Sequence, residues 1–256
     1  MRPSALRAPW RRNIHRTTTL AVLALVVAFG LGCDALSSAS ADEPPAKSTG
    51  SKAAKAAATA KPTVDDGSIP PPKTVEALPI REGQWVRFDI DDGKGNGKRK
   101  FSYAVIGKEG DAHWLDVMVE QPTGAVSVQI LVSIPDRNDA SQVKIKKFKV
   151  KLPTGQVQTF SGATVAAAQQ QFKSFMARFA IPKFAGLPQE DVTVPAGRFR
   201  GCYKRTEKVE LLGLKDESSV WNHTAVPIMA MVKLVSKDGT TFELTGYGLT
   251  GAKPTF

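Results

Sequence analysis

The side chain best suited to nucleophilic chemistry is the thiol of Cys202, which would need a histidine base and an orienting carboxylate or amide. The available bases are His113 and His223, and the available orienting groups include Asp116 and Asn222. Cys202 lies in a strand-like stretch, where a thiol usually packs as a small apolar group. No nucleophile-elbow sequence and no histidine pair at metal-ligand spacing occur in the chain. We therefore expect a structural cysteine in a protein that is not an enzyme, with no catalytic residue, no metal site and no cofactor.

The glycine-rich sequence DIDDGKGNG, residues 89–97, could in principle hold a phosphate or a calcium ion. A phosphate loop needs a helix N-terminus after it, whereas a strand-like sequence follows here. A calcium loop needs a bidentate glutamate at its twelfth position, which is Lys100 in this chain. The stretch therefore predicts a hairpin turn between two strands.

Five lysines alternate with apolar residues in the stretch KIKKFKVK, residues 144–151. They are Lys144, Lys146, Lys147, Lys149 and Lys151. This lysine strip could bind an anionic envelope component, such as lipid phosphates or acidic glycans. The same pattern would protect an edge strand from pairing with other chains, and this second interpretation is the simpler one. The same two interpretations apply to a second basic cluster, formed by Arg198, Arg200, Lys204, Arg205 and Lys208.

An apolar helix face is the most suggestive feature for ligand binding. The stretch 163–180 has apolar residues at helical spacing, between a capping serine at 161 and a proline at 182. If this helix covers a sheet loosely, the gap would accept an acyl chain; if it packs closely, the same residues form an ordinary core. Both alternatives stay open. The predicted ligand-binding residues are Phe172, Phe175, Met176 and Phe179 on the helix, with Met229 and Met231 opposite them.

The beginning of the chain predicts export. Five arginines and no acidic residue precede the uncharged run LAVLALVVAFGLG, residues 20–32. This run is shorter than the roughly 20 residues that a membrane-spanning helix needs, so residues 1–32 are interpreted as an export signal. The order WRRNI at 10–14 resembles a twin-arginine signal, and an ordinary Sec signal is the alternative.

Two features compete as the start of the mature protein. Cys33 directly follows the apolar run, as the acylated cysteine of a bacterial lipoprotein does, so it is the predicted lipid attachment site. Cleavage after Ala41, at Ala-Ser-Ala, would instead give a soluble periplasmic protein. Either route leaves Cys202 without a disulfide partner. Residues 33–75 are rich in Ala, Lys, Pro, Ser and Thr, which predicts a disordered tether.

From residue 76 to 256, hydrophobicity alternates with period two, which predicts half-buried antiparallel strands. The parity of the apolar positions switches at Lys146–Lys147, which predicts a β-bulge. About five strands precede the helix and four or five follow it. The predicted fold is mainly β (α+β): a curved antiparallel sheet, or incomplete β-barrel, with one main helix packed on its concave side.

Short motifs in the C-terminal half resemble an uncharacterised domain family of bacterial envelope proteins. These motifs are VTVPAGRF at 192–199, Trp221, Val226-Pro227 and FELTGYG at 242–248. The resemblance covers residues 188–250, with a looser match over 82–132. It implies a fold similar to the lipoprotein carrier and receptor half-barrels of the periplasm, which hold lipid or acyl chains in a hollow. The motifs are turn and strand signatures, so they carry fold more than function.

Charge limits the possible partners. The whole chain has a formal net charge of +11, and residues 76–256 contain 25 basic and 19 acidic residues. The abundant anions of a bacterial envelope are lipid headgroups and polysaccharides, so nucleic acid is not an expected partner. We expect an envelope-anchored, non-enzymatic protein that holds a hydrophobic ligand, a lipid or a lipidated partner. The alternative is a membrane-displayed scaffold with a filled core that acts through its basic surface.

Overall fold

The structure is a computed structural model that describes residues 67–93, 97–121, 124–151, 155–171, 181, 183–211 and 214–256. The first half of this region contains β1 (Trp85–Asp91), β2 (Arg99–Glu109), β3 (Ala112–Gln121), β4 (Gly124–Ser133), β5 (Lys144–Lys151), β6 (Val157–Phe160) and helix α1 (Ala163–Gln171). The second half contains β7 (Gln189–Val194), β8 (Gly197–Leu211), β9 (Leu214–Asn222), β10 (Met231–Ser236) and β11 (Thr241–Gly248).

The eleven strands of the described residues belong to one antiparallel sheet with the order β6-β5-β4-β3-β2-β1-β11-β10-β9-β8-β7. Strands β1 to β6 form one meander and β7 to β11 form another, and the pairing of β1 with β11 joins the two. Strands β6 and β7 are the two edge strands. The sheet is curved, but it is not closed into a barrel because these two strands do not pair with each other. The prediction of a mainly β, incomplete barrel is therefore confirmed at the level of the sheet.

Alternation along the strands gives the sheet one apolar face, which we call the inner face. Side chains from both meanders join a single buried cluster on this face, because the sheet curves around them. In β1, for example, Val86, Phe88 and Ile90 are buried while Arg87 is exposed. The opposite, outer face carries mostly polar and charged residues.

The predicted bulge in the lysine strip is confirmed. Val132 pairs with Ile145 but Leu131 pairs with Lys147, so Lys146 is the extra residue on β5. Ile145 and Phe148 are both buried as a result, on opposite sides of the parity switch. Strand β6 was not expected, because only Phe160 among its four residues is buried.

Helix α1 begins at Ala163 as predicted, and Gly162 accepts the first helical hydrogen bonds, from the N–H groups of Val165 and Ala166. The helix packs against β5, and Val165 joins the core cluster. Residues 172–180, which complete the predicted helix, lie outside the described residues. The structure therefore does not confirm that one helix covers the concave side.

Contacts with the sheet begin at Ile69, within the stretch that the sequence assigned to the tether. Ile69 forms a parallel bridge with Phe199, donating its N–H to the Arg198 carbonyl and accepting from the N–H of Arg200. Residues 1–66, including Cys33 and the rest of the predicted signal and tether, lie outside the described residues.

Candidate functional site

The inner face of β2 to β5 forms the floor of the candidate site. It is apolar, because period-two alternation places the large apolar residues of four neighbouring strands on the same side. All of these side chains are buried. They are Phe101, Tyr103 and Val105 of β2, Leu115, Val117 and Val119 of β3, Val128, Ile130 and Val132 of β4, and Ile145 and Phe148 of β5.

The other end of the inner face is filled by the chain itself. The hairpin of β7 and β8 folds against β10 and β11, and the N–H of Ala196 in its turn donates to the Leu244 carbonyl of β11 at 2.9 Å. Val192, Val194 and Phe199 of this hairpin are buried in the core cluster. This hairpin therefore covers part of the inner face over β10 and β11.

The two predicted methionines are core residues of the inner face. Met229 is 4% exposed and Met231 is 3% exposed, and both belong to the main apolar cluster. Phe172, Phe175, Met176 and Phe179 lie outside the described residues. That these four side chains lie opposite the two methionines therefore stays a prediction.

A half-buried arginine links two distant segments of the chain, and sequence reasoning missed it. Arg137 donates from Nη1 to the Leu78 carbonyl and from Nη2 to the Ile228 carbonyl. Its Nε is buried without a hydrogen-bond partner in the described part of the chain. Burial lowers the pKa of Arg137 to about 10. Ile228 has a φ of 65°, a left-handed conformation that β-branched residues rarely adopt.

Cys202 does not have the environment of a catalytic nucleophile. Its side chain is fully buried, and its Sγ lies 3.9 Å from the Phe199 carbonyl oxygen. Burial raises the pKa of this thiol to about 12, with smaller contributions from Asp191 and Glu190. A thiol with such a pKa stays protonated at neutral pH and is a poor nucleophile.

The buried ring of His223 is held by backbone groups on both nitrogens. Nδ1 accepts from the N–H of Ala225 at 3.1 Å, so the proton is on Nε2, which donates to the Pro70 carbonyl at 3.0 Å. Burial lowers the pKa of His223, while hydrogen bonds with the backbone of Pro70 and Arg200 oppose this shift. His223 therefore joins residue 70 to the loop after β9, and neither ring nitrogen is available to a substrate.

The carboxylate of Asp116 is also committed to hydrogen bonds within the chain. Buried on the outer face, it accepts hydrogen bonds from Ser127, Gln129 and both the N–H and hydroxyl of Thr255. The C-terminal residues are thereby fastened across the outer face of β3 and β4. Two of the residues proposed as partners for Cys202 are therefore held elsewhere: Asp116 is bound on the outer face, and both ring nitrogens of His223 are bound to backbone groups.

Three lysines of the strip interact with side chains of this chain. Lys146 forms an ion pair with Asp111, and Lys147 forms one with Glu109. Lys149 lies over the Trp114 ring, 4.3 Å from its centroid. Lys144 and Lys151 are exposed. Strand β5 is not the edge of the sheet along its whole length, because β6 pairs with residues 148–151.

The second basic cluster shows the same pattern. Arg198 pairs with Asp191 at 3.0 Å, Lys204 with Glu190 at 3.3 Å, and Arg205 with Glu207 at 3.2 Å. Lys204 also lies over the Trp221 ring, and the Trp221 indole donates to Glu190. Both basic patches therefore carry much of their own counter-charge.

The glycine-rich stretch lies where a hairpin turn was predicted. Strands β1 and β2 pair up to Ile90 and Arg99, and Asp91 accepts from the N–H of Gly93 at 2.9 Å. Residues 94–96 at the tip lie outside the described residues. In the described part of the chain, no group of three or more His, Cys, Asp or Glu residues could hold a metal ion. Within that part, no helix has both the length and the hydropathy required to cross a bilayer.

Comparisons with known proteins do not assign the chain to a family. No protein-family model matches it, and no curated protein matches it. A hypothetical protein from Chlamydia trachomatis is similar over 69% of this chain and 91% of its own, with 10% identity and a TM-score of 0.39. A DUF1329 family protein from Desulfovibrio piger is similar over 64% of this chain and 84% of its own, with 12% identity and a TM-score of 0.26. At such scores neither likeness supports a function, so the resemblance to envelope half-barrels stays a prediction.

Proposed function

We propose that this chain is an exported, lipid-anchored, non-enzymatic binding protein that holds a hydrophobic ligand or a lipidated partner against the inner face of its sheet. The observation that carries the proposal is the apolar floor that β2 to β5 share on the inner face. The ligand would lie between this floor and residues 172–180.

The connection between the edges supports this placement. Strand β6 ends at Phe160 and β7 begins at Gln189, although these strands are ten strand spacings apart, about 48 Å along the curve. Near the start of the connection Val165 is buried in the core cluster, and near its end Phe184 stacks on Tyr203 at 5.1 Å. The connection is thus anchored in the main core cluster near its start, and near its end in a second buried cluster that contains Phe184 and Tyr203. We expect the residues between these two anchors to cover the open side of the half-barrel.

The surroundings of the reactive groups support a non-enzymatic role. Burial holds the Cys202 thiol in its protonated form, and His223 is bound to backbone on both nitrogens. The alternative of a scaffold acting through basic patches has weaker support, because the lysines and arginines best placed to bind anions pair with Asp111, Glu109, Asp191 and Glu190.

Titration with a fluorescent fatty acid tests the proposal. The full chain carrying Cys33→Ala is used, so that no attached acyl chain competes and no detergent is needed. We expect saturable binding with a blue-shifted emission, since the probe would leave water for an apolar site. The variant Phe175→Ser should weaken this binding.

The matched control is Val157→Ser, which removes an apolar side chain that is 45% exposed on β6 and should leave binding unchanged. Absence of saturable binding, or an equal effect of both serine variants, would exclude a ligand site under residues 172–180. Binding to anionic vesicles that disappears in high salt would instead favour the scaffold alternative.

A further inference from the structure

A groove on the outer face lies outside the site proposed above. It is bounded by β1, β2 and β3 on one side and by residues 251–255 on the other, and it has a volume of ≈ 330 Å³. Volumes of roughly 300 Å³ and more are typical of small-molecule sites. We call it the outer groove. The side chains that matter here are Trp85, Arg87, Ser102, Ala104, Met118 and Lys253.

The outer groove exists because the C-terminal residues are fastened at two places and arch between them. At one end, Trp85 Nε1 donates to the Thr250 carbonyl at 3.1 Å, and the N–H of Ala252 donates to the Gly83 carbonyl. At the other end, Thr255 is bound to Asp116. Beneath this arch the outer face of β2 carries only small side chains, Ser102 and Ala104, which leaves the space open.

Arg87 stacks on the Trp85 ring at the wall of the outer groove. Its guanidinium lies over the Trp85 ring, 4.9 Å from the centroid. The indole itself is fixed by its bond to Thr250 and by close packing against Gly246 and Gly248. A stacked guanidinium uses its face against the ring and keeps its N–H edge for in-plane hydrogen bonds with a carboxylate or phosphate.

The charges of the outer groove differ from those of the basic patches. In the described part of the chain, no ion pair joins Arg87 or Lys253 to a carboxylate, whereas Lys146, Lys147 and Lys204 each have one. The nearest acidic wall residue, Asp116, has its two oxygens committed to Thr255, Ser127 and Gln129. The groove thus combines two cations without acidic partners, one hydroxyl at Ser102, and an apolar surface at Ala104 and Met118.

From this arrangement we infer that the outer groove is a binding site for a small organic anion, with a carboxylate or phosphate group on an apolar body. The anionic group meets Arg87 and Lys253. The apolar body lies on Ala104 and Met118 beneath the arch. This site is separate from the inner face, and its occupancy does not depend on the ligand proposed there.

The three tryptophans of the sheet provide a test with internal controls. Trp85, Trp114 and Trp221 each have a cationic group over the ring, but only Trp85 lines the outer groove. The full chain is labelled with ¹⁵N and titrated with phenyl phosphate and, separately, with benzoate, while the indole N–H signals are followed by NMR. The Trp85 signal should shift saturably, and those of Trp114 and Trp221 should not.

Variants then assign the interaction. Arg87→Gln should weaken binding by about tenfold or more, because it removes a charged hydrogen-bonding partner. Ser102→Leu should abolish binding by filling the space beneath the arch. Lys144→Gln removes the same charge from an exposed position on β5 and should change nothing. Inorganic phosphate alone should bind more weakly than phenyl phosphate, because it has no apolar body.

Three results would overturn the inference: no saturable shift of Trp85 with either probe, parallel shifts of all three indoles, or equal affinities for the Arg87→Gln and Lys144→Gln variants. Retained dispersion in the spectra of Arg87→Gln and Ser102→Leu shows that each variant is folded. Because the fatty-acid titration reports on the inner face, failure of one site leaves the result for the other intact.

Discussion

Trp85 of β1 packs its ring against Gly248 of β11, its partner in the strand pair that joins the two meanders of the sheet. A Cβ added at position 248 would lie 2.8 Å from Cε2 of the indole, closer than real Cβ atoms come to other heavy atoms. Gly246, the next residue on the same face, is also in close contact with the ring. The two glycines of the sequence GYG therefore make room for Trp85, which in turn positions Arg87 and the C-terminal arch.

The variant Gly248→Ala should lower the free energy of unfolding by about 1–3 kcal/mol, because the added methyl group overpacks a fixed ring. Gly107→Ala in β2 is the matched control, since a Cβ there would meet no atom within 4 Å. Urea denaturation of both variants measures the difference. Equal stabilities would show that the indole moves aside without cost.

Cys202 should resist alkylation in the folded protein. Burial raises the pKa of its thiol to about 12, and only the thiolate attacks reagents such as iodoacetamide. We expect no detectable labelling at pH 8 in native buffer and rapid labelling in denaturant. Cys33→Ala is introduced to leave one thiol in the chain. Rapid native labelling would contradict the buried placement and reopen the case for a catalytic thiol.

The same thiol should make stability depend on pH in the alkaline range. Its pKa is raised from 9.0 to about 12 on folding, so between these values the folded state holds a proton that the unfolded state has lost. The stabilisation is present below pH 9 and is lost as pH rises toward 12. From pH 8 to pH 10 the free energy of unfolding of the native chain should fall by about 1.4 kcal/mol more than that of the Cys202→Ala variant. Parallel pH profiles for the two chains would show that the pKa is not raised.

The strands can be predicted from the sequence because the alternation of apolar and polar residues is a local signal. The parity switch at Lys146–Lys147 even located the bulge, since one extra residue moves every later side chain to the other face. Strand β6 was missed because Phe160 alone gives no alternation. Ile228 and Ala230, in the loop before β10, adopt left-handed conformations that their apolar residue types do not predict.

The non-local relationships could not be read from the sequence. The pairing of β1 with β11 and the contact of Arg137 with Leu78 and Ile228 join residues far apart in the chain, and Arg137 occurs in an ordinary polar loop sequence, PDRND. The acidic partners of the lysine strip lie at the end of β2 and just before β3, which the basic stretch itself does not reveal. The outer groove depends on where residues 251–255 cross the sheet, and no local pattern specifies that path.

The proposed lipid attachment at Cys33 can be tested directly against the alternative cleavage after Ala41. If Cys33 is the acylated residue, cells supplied with a radiolabelled fatty acid should yield a labelled protein in the membrane fraction, and Cys33→Ser should lose the label. Cleavage after Ala41 predicts instead an unlabelled protein whose N-terminal residue is Asp42. Intact mass and N-terminal sequencing distinguish the two. Ala41→Leu is the complementary control, because it blocks the second cleavage only.

His223 should make the attachment of residues 69–72 sensitive to acid. Its Nδ1 accepts from the N–H of Ala225, and burial lowers its pKa below the ordinary 6.5. As pH falls below 6.5, the unfolded state therefore binds a proton that the folded state resists, and stability decreases. An NMR titration of the ring should give a midpoint below 6.5, and His223→Gln should reduce the loss of stability between pH 7 and pH 5.

The control for this prediction is His113→Gln. Burial lowers the pKa of His113 as well, so this variant should also reduce the acid dependence, but it should not affect the N-terminal segment. Protease accessibility near residues 67–72 separates the two, because only His223 bonds to the Pro70 carbonyl. A ring midpoint at or above 6.5, or equal protease sensitivity in both variants, would show that His223 does not hold this segment on the sheet.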